Sequence, residues 1–247
     1  LLMDCSADCA IHPKKSVREP AIGPLALLVA VPGDLQMLSQ AIRPPGELRF
    51  KNPWLRLYHL PQPSRTLALA GPVLGSPQAV MVLEKLIVLG ARRVLLFGWT
   101  GSLKPDLKPG DLLLPEWAES EEGTSRHYTL EPDPRAHPRF SADLRRALDH
   151  SGLPHRVGPV WTTDAPYRET WAKIRACQSR GIWGVDMETS AFYTVGAFRG
   201  IETAALLIVS DELSGEAWRH GFRDPRFLNS RKQMVRWLLE RFSLFPS

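Results

Sequence analysis

Wholly apolar runs alternate along this chain with stretches that are apolar on one face only. The run Leu25–Val31 (LALLVAV) has no polar member, the pattern of a strand buried on both faces. It stops at Pro32-Gly33-Asp34, a turn signal. Leu55–Leu60 and Thr66–Ala70 read as further strands. Ser76-Pro77 predicts a helix start, with Ser as N-cap and Pro at the first helical position. Ala79, Val80, Leu83, Leu86 and Ile87 follow at helical spacing until Gly90 stops the helix. Arg93–Phe97 (RVLLF) is another buried strand and runs into Gly98-Trp99-Thr100-Gly101. In the second half Asp111–Leu114 and Val157–Trp161 predict strands, and Asp143–His150 a short helix. Pro132–Pro138 reads as one long loop. Ile182–Val185 leads into a helix from about Met187 to Arg199, and Thr203–Val209 (TAALLIV) is the most strand-like segment of all. Asp224-Pro225 opens a C-terminal helix with Phe227, Met234, Trp237, Leu238 and Phe242 on its apolar side. Strands alternating with helices predict an α/β layer fold. Residues 1–24 are expected to form a loosely ordered arm, and residues 25–247 a single domain.

Composition narrows this picture. Hydrophobic residues make up 44% of the 247 positions and charged residues 23%, ordinary values for a soluble protein. No apolar run approaches the roughly 20 residues of a membrane helix, so no membrane partner is expected. The net charge is +5, with a basic excess near the C-terminus in Arg219, Arg223, Arg226, Arg231, Lys232, Arg236 and Arg241. No nucleic-acid motif accompanies these residues, so they read as a solvated helix face and predict no nucleic-acid partner. Cys5, Cys9 and Cys177 exclude a disulfide scaffold and fit a reducing, cytoplasmic compartment. Their spacing lacks a metal-ligand pattern, and they read as surface or core thiols.

In open α/β sheets ligands gather at the carboxyl ends of strands. That rule selects Pro32-Gly33-Asp34, Gly98-Trp99-Thr100-Gly101, Asp186-Met187-Glu188 and Ser210-Asp211. Glu188 shares a helix face with Ala191, Phe192 and Val195, so it is expected to point inward near a helix N-terminus. The helix dipole favours its ionised form there. A buried carboxylate needs donors, which a ligand's hydroxyls would supply; the alternative is a carboxylate that caps the helix. Asp211 closes an almost wholly apolar strand, either as a turn or helix cap or as an acid raised by apolar neighbours.

Taken together, GVDMETSAFYTVGAFRGIETAALLIVSDEL (Gly184–Leu213) and GARRVLLFGWTGSLKPDLKPGDLLLP (Gly90–Pro115) resemble the nucleoside phosphorylase superfamily, in its hexameric purine nucleoside and uridine phosphorylase branch. Pro32–Asp34, Gly75–Ala79, Glu122–Tyr128 and Thr162–Thr170 are collinear with the same pattern. The resemblance implies a three-layer α/β fold with a mixed, partly barrelled central sheet. It implies an enzyme that cleaves the N-glycosidic bond of a purine or pyrimidine nucleoside, a pentosyltransferase with phosphate as possible co-substrate and no other cofactor. Glu188, beside Met187, would hold the ribose hydroxyls and support positive charge developing on the sugar. Asp211 would protonate the leaving base. Tyr167 falls where a ring stacks on the base, with Arg168 and Thr100 as further base-binding candidates. Gly33 falls where a backbone N–H meets phosphate. His12 and Arg49 resemble residues lent to a neighbouring subunit's ribose and phosphate sites, which implies a homo-oligomer, a dimer or a trimer of dimers.

The chain departs from the family's pattern at its phosphate cage. Met37 and Leu96 stand where arginines are expected, and Trp99 stands where a small hydroxyl residue is expected, with Thr100 keeping a hydroxyl nearby. A desolvated phosphate without guanidinium partners is costly. Three functions follow as expectations: phosphorolysis, hydrolysis by water in the same pocket, or nucleoside binding without catalysis.

Overall fold

The structure is a computed structural model that describes residues 9–41, 47–52, 55–61, 66–128, 134–241 and 245. In chain order its elements are β1 (Leu25–Val29), α1 (Pro32–Ala41), β2 (Glu47–Lys51), β3 (Arg56–Pro61), β4 (Thr66–Gly71), α2 (Gly75–Leu89), β5 (Arg93–Ser102), β6 (Leu112–Leu114), β7 (Ala118–Ser120), α3 (Pro138–His150), β8 (His155–Val157), β9 (Val160–Thr162), α4 (Trp171–Ser179), β10 (Gly184–Asp186), α5 (Thr189–Phe198), β11 (Glu202–Glu212), β12 (Arg219–His220) and α6 (Pro225–Arg241).

Among the described residues the strands form one branched, mixed sheet that does not close into a barrel. β1 lies parallel between β4 and β5, and β11 runs parallel along the other edge of β5. These are the continuous apolar runs, and alternate residues serve opposite helical layers. Leu27, Leu95, Phe97, Leu206 and Ile208 pack with Leu38 of α1, Phe140 of α3 and Phe227 and Leu238 of α6. Leu28, Val94, Leu96 and Ala205 pack with Leu83 and Leu86 of α2 and Phe192 of α5. Helices thus cover both faces, as the strand–helix alternation predicts.

Local chemistry shifts several boundaries. Pro32-Gly33-Asp34 is the first turn of α1 and not a free turn, since Pro at a helix start loses no hydrogen bond. Ser76 lies inside α2, where its hydroxyl donates to the Met187 carbonyl at 2.9 Å and ties the helix start to the loop before α5. The Val157–Trp161 run breaks at Gly158-Pro159 into β8 and β9. α3 begins at Pro138, ahead of the expected Asp143. α4, with only Ile174 and Cys177 buried, carries too thin an apolar stripe for periodicity to reveal. Residues 9–24 hold no helix or strand and are pinned against α2. Ile22 donates to the Leu89 carbonyl, and Lys85 reaches the Lys14 carbonyl and Glu19. Cys9 is exposed and Cys177 buried, while Cys5 lies outside the described residues.

Candidate functional site

β5 is the strand from which the site is built. Its first residues pair with β1 on one side and β11 on the other. Its last two, Gly101 and Ser102, keep β11 on one side and on the other exchange β1 for Val185 and Gly184 of the antiparallel β10. Strand neighbours change at this point, and a cleft of about 790 Å³ opens there. The crossing depends on bare backbone. A Cβ on Gly184 would lie 2.5 Å from the Thr100 hydroxyl, and one on Gly101 would lie 3.1 Å from Val185 and 3.2 Å from Asp211. The ladder between β11 and β5 skips one residue between Val209 and Asp211, which leaves Ser210 as a bulge. Side chains alternate along a strand, so the extra residue sets the face on which Asp211 emerges. Asp211 lines the cleft.

Asp186, Met187 and Glu188 line the cleft from the end of β10 and the start of α5. The Asp186 carboxyl is engaged inside the protein. One oxygen accepts from the Thr162 hydroxyl at 2.6 Å, and the other from the Thr189 amide at 3.1 Å and the Thr189 hydroxyl. Asp186 therefore caps α5. Glu188 stands at the N-cap position but makes no capping bond. Its Oε1 accepts from the Gly75 amide, 2.6 Å away at the start of α2. The capping alternative is thereby excluded, and the inward orientation expected from the sequence is met. The expected ionisation is not. Burial, and then the Asp186 carboxyl, push Glu188 well above the usual carboxylate range. Burial likewise raises Asp186 against the pull of its threonine donors. The backbone groups of Gly75 and Met187 do not offset this desolvation; a ligand's hydroxyls would add the missing donors.

Asp211, near the end of β11, is half-buried. Its Oδ1 accepts from the Ser210 hydroxyl at 2.5 Å and its Oδ2 from the Trp218 indole N–H at 2.8 Å. Glu169, which follows the short 3-10 turn Pro166–Arg168, lines the same cleft. Burial, then Asp211 and then Glu121 push its carboxyl up to about 7. Tyr167, fully exposed, stands at the mouth, and Trp171, Trp218 and Phe222 complete an aromatic wall. Sequence reasoning misses Glu169 and Trp218. Glu169 sits inside the collinear segment Thr162–Thr170, and its position there is the only available signal. The Thr100 side chain is buried, with its hydroxyl donating to the Val185 carbonyl at 2.9 Å, so its place on the lining serves the strand crossing first. Arg168 is exposed and does not line the cleft. His12 is exposed on the arm and is likewise absent from the lining.

The corner around Gly33, Met37 and Trp99 is built differently from what the sequence suggests. Gly33 lies in the first turn of α1, where helical N–H groups lack intrahelical acceptors. Arg231 of α6 comes against it: a Cβ on Gly33 would lie 3.2 Å from Arg231 Nη2. Arg231 is thus not part of a solvated face, unlike its exposed neighbours Lys232 and Arg236. Its Nε donates to fully buried Asp34 at 2.7 Å, and the Trp99 indole N–H donates to the other Asp34 oxygen at 2.7 Å. Burial raises the Asp34 carboxyl more than these two partners lower it. The guanidinium carbon lies 4.9 Å from the Trp99 ring centroid, and Nη2 lies 3.7 Å from the Met37 sulfur. Trp99 lines the cleft and Arg231 does not, so the indole stands between them. Leu96 is buried in the core under α2. Arg49 lies on β2, and its side chain is outside the described residues. Among the described residues the cleft lining contains no Lys, Arg or His.

Residues 24–240 match the family model described as the Phosphorylase superfamily. The chain belongs to that superfamily. Among curated relatives, the DeoD-type purine nucleoside phosphorylase of Caldanaerobacter subterraneus is 28% identical over 175 residues, 68% of this chain and 74% of that protein. The guanosine phosphorylase of Halorubrum lacusprofundi is 24% identical over 206 residues, 83% of this chain and 85% of that one. Among solved structures, purine nucleoside phosphorylase from Toxoplasma gondii superposes with a TM-score of 0.81 at 22% identity, covering 91% of this chain and 95% of that one. Uridine phosphorylase from Vibrio fischeri gives 0.80 at 20% identity, over 96% and 99%. The superfamily fold expected from the sequence is therefore present in this chain, with its sheet open.

Proposed function

We propose that this chain is a nucleoside phosphorylase-type enzyme that cleaves an N-glycosidic bond, with phosphate as the co-substrate. The observation that carries the reading is the presence of both Glu188 and Asp211 on the lining of one cleft, where β10 and β11 flank the end of β5. Glu188 accepts from the ribose hydroxyls, beside Met187. As the bond from C1′ to the base stretches, positive charge builds on the sugar, and the Glu188 carboxylate, ionised once the ribose hydroxyls donate to it, stabilises that charge. Asp211 acts on the base, and Tyr167 stacks on it. Phosphate is met by Gly33 and by a guanidinium lent by another copy, the role proposed for Arg49, with His12 lent to the ribose. This division of labour calls for a homo-oligomer, and the cysteine usage fits a cytoplasmic setting.

A second reading, water in place of phosphate, is favoured by the absence of any Lys, Arg or His from the described lining. A panel of nucleosides incubated with and without phosphate, with free sugar and sugar 1-phosphate both measured, tests the two. Sugar 1-phosphate formed in a phosphate-saturable manner supports phosphorolysis. Free sugar at a phosphate-independent rate supports hydrolysis. No cleavage of any nucleoside rejects the enzymatic reading.

A further inference from the structure

The start of α2 lacks an ordinary cap, and the candidate ribose carboxylate serves it instead. Leu74 stands at the N-cap, and its apolar side chain accepts no hydrogen bond. The Gly75 N–H is one of the donors that a helix start leaves without an intrahelical acceptor, and Glu188 Oε1 meets it at 2.6 Å. That bond joins segments 113 residues apart in the chain. The Ser76 hydroxyl, bonded to the Met187 carbonyl, brings the two segments together but does not aim the carboxyl. Aiming depends on the turn between β4 and α2, where Gly75 has a φ of 77°, a conformation that other residues rarely adopt. Gln78, at the end of the first turn of α2, grips that turn at two points. Its Oε1 accepts from the Leu74 amide at 2.9 Å, and its Nε2 donates to the Pro72 carbonyl at 3.2 Å. A Gln side chain that reaches back to the N-cap amide resembles half of a capping box, and Glu188 supplies an acceptor that the Leu74 side chain cannot. Pro72, Val73, Leu74 and Gln78 line the same cleft as Glu188.

We propose that Gln78 is a positioning residue for the ribose carboxylate: by fixing the turn from Pro72 to Gly75 it keeps the Gly75 N–H aimed at Glu188, and so sets the direction in which that carboxyl meets the ribose hydroxyls. This rests on the nucleoside reading above and adds a residue that acts through Glu188 and not on the substrate. Losing the Gln78 amide costs function more than folding. Leu74 is exposed, so water replaces the Gln78 oxygen at its amide. The effect on Glu188 has a definite sign. The Gly75 N–H favours the ionised carboxyl against burial and against Asp186, the charged neighbour that raises it. A turn that wanders weakens this donor, and Glu188 then needs a higher pH to ionise.

The test compares the full chain with Gln78→Ala and with Gln78→Met, which keeps most of the side-chain volume. Guanosine and uridine are titrated calorimetrically across the acid and neutral range, and circular dichroism follows folding. At neutral pH both variants should bind the preferred nucleoside at least about fivefold more weakly, with melting close to that of the unaltered chain. The acid limb of the affinity profile should move to higher pH. In the Glu188→Gln background, which has no carboxylate to aim, Gln78→Ala should cost much less than it does alone. A loss that is uniform across pH, or undiminished in Glu188→Gln, would overturn the inference, because a residue that touches the ligand or only supports the fold behaves that way. Failure of both variants to fold would do the same. If both bind the nucleoside as well as the unaltered chain does, Gln78 has no positioning role and the nucleoside reading stands. If neither nucleoside binds to the unaltered chain or is cleaved by it, both fall.

Discussion

The Trp99 indole donates to one oxygen of Asp34 while the Arg231 guanidinium holds the other and lies 4.9 Å from the same indole ring. The three residues come from α1, β5 and α6, and they close the corner of the cleft nearest Gly33. Removing one partner of a buried ion pair leaves the other charge uncompensated, which costs about 3 kcal/mol. Arg231→Leu is therefore expected to lower the urea midpoint by that order. Asp34→Asn in the Arg231→Leu background should recover part of the loss, and a double-mutant cycle reads the coupling directly. Additive single effects would contradict the pairing.

Trp99 separates Arg231 from the cleft, so Trp99→Ser should admit phosphate to the guanidinium. A charge-assisted hydrogen bond between the two predicts a half-saturating phosphate concentration about tenfold lower in the cleavage assay. The same change removes the packing of Trp99 on Phe227, so melting should fall while phosphate use improves. An unchanged phosphate response would mean that the anion binds away from this corner.

Glu188→Gln keeps the acceptor for the Gly75 amide and removes the charge that would meet ribose. Charged hydrogen bonds are worth roughly 1.5–3 kcal/mol, so nucleoside affinity should drop at least tenfold with the fold intact. Calorimetry on the best ligand, paired with circular dichroism, checks both halves of this expectation.

Stability should depend on pH in a direction opposite to that set by salt-bridged carboxylates. Glu188, Asp186 and Glu169 all have raised folded-state values, so the folded protein holds more protons than the unfolded chain between the ordinary carboxylate range and those raised values. Their contribution is complete below the unfolded values and is lost as pH rises through the folded ones. Glu122 and Glu19 are lowered and act in the acid range, where their stabilising effect fades as pH falls. The ligand-free melting temperature should therefore decline from about pH 5 to about pH 8, and Glu188→Gln should flatten the decline. A melting temperature that climbs over this interval would contradict the assignment.

Light scattering at micromolar concentration tests the assembly. A dimer or larger species is expected if His12 and Arg49 complete a neighbour's site, and Arg49→Ala should then impair phosphate use without altering assembly. A monomer with full activity would reject the shared site.

Much of this architecture is legible in the chain. β1, β5 and β11 show as apolar runs because both of their faces are covered, and Gly90 ends α2 with a φ of 132° that only glycine adopts comfortably. Glu188 turns inward, as its spacing predicts, because its neighbours Ala191, Phe192 and Val195 are all buried. Its ionisation departs from expectation, because desolvation and the nearness of Asp186 are three-dimensional facts, whereas the helix dipole is a local one. Arg231 is hidden for a similar reason. Among six other basic residues it looks like surface, and its partner Asp34 lies 197 residues away. Only the packing of α6 across α1 brings them together. α1 is hidden by its own first residues, since Pro-Gly-Asp signals a turn and a helix start with equal force.

The crossing of β10 over the end of β5 also bears on how such a protein diversifies. The segment around Glu188 and the segment from Asp211 through Phe222 reach the cleft from different strands, which flank the end of β5 at Gly101 and Ser102. They behave as exchangeable modules. Grafting the stretch between β11 and α6 from a relative should transplant the choice of leaving group while the grip on the pentose is inherited unchanged. The two bare glycines at the junction are what a recombination experiment must leave untouched.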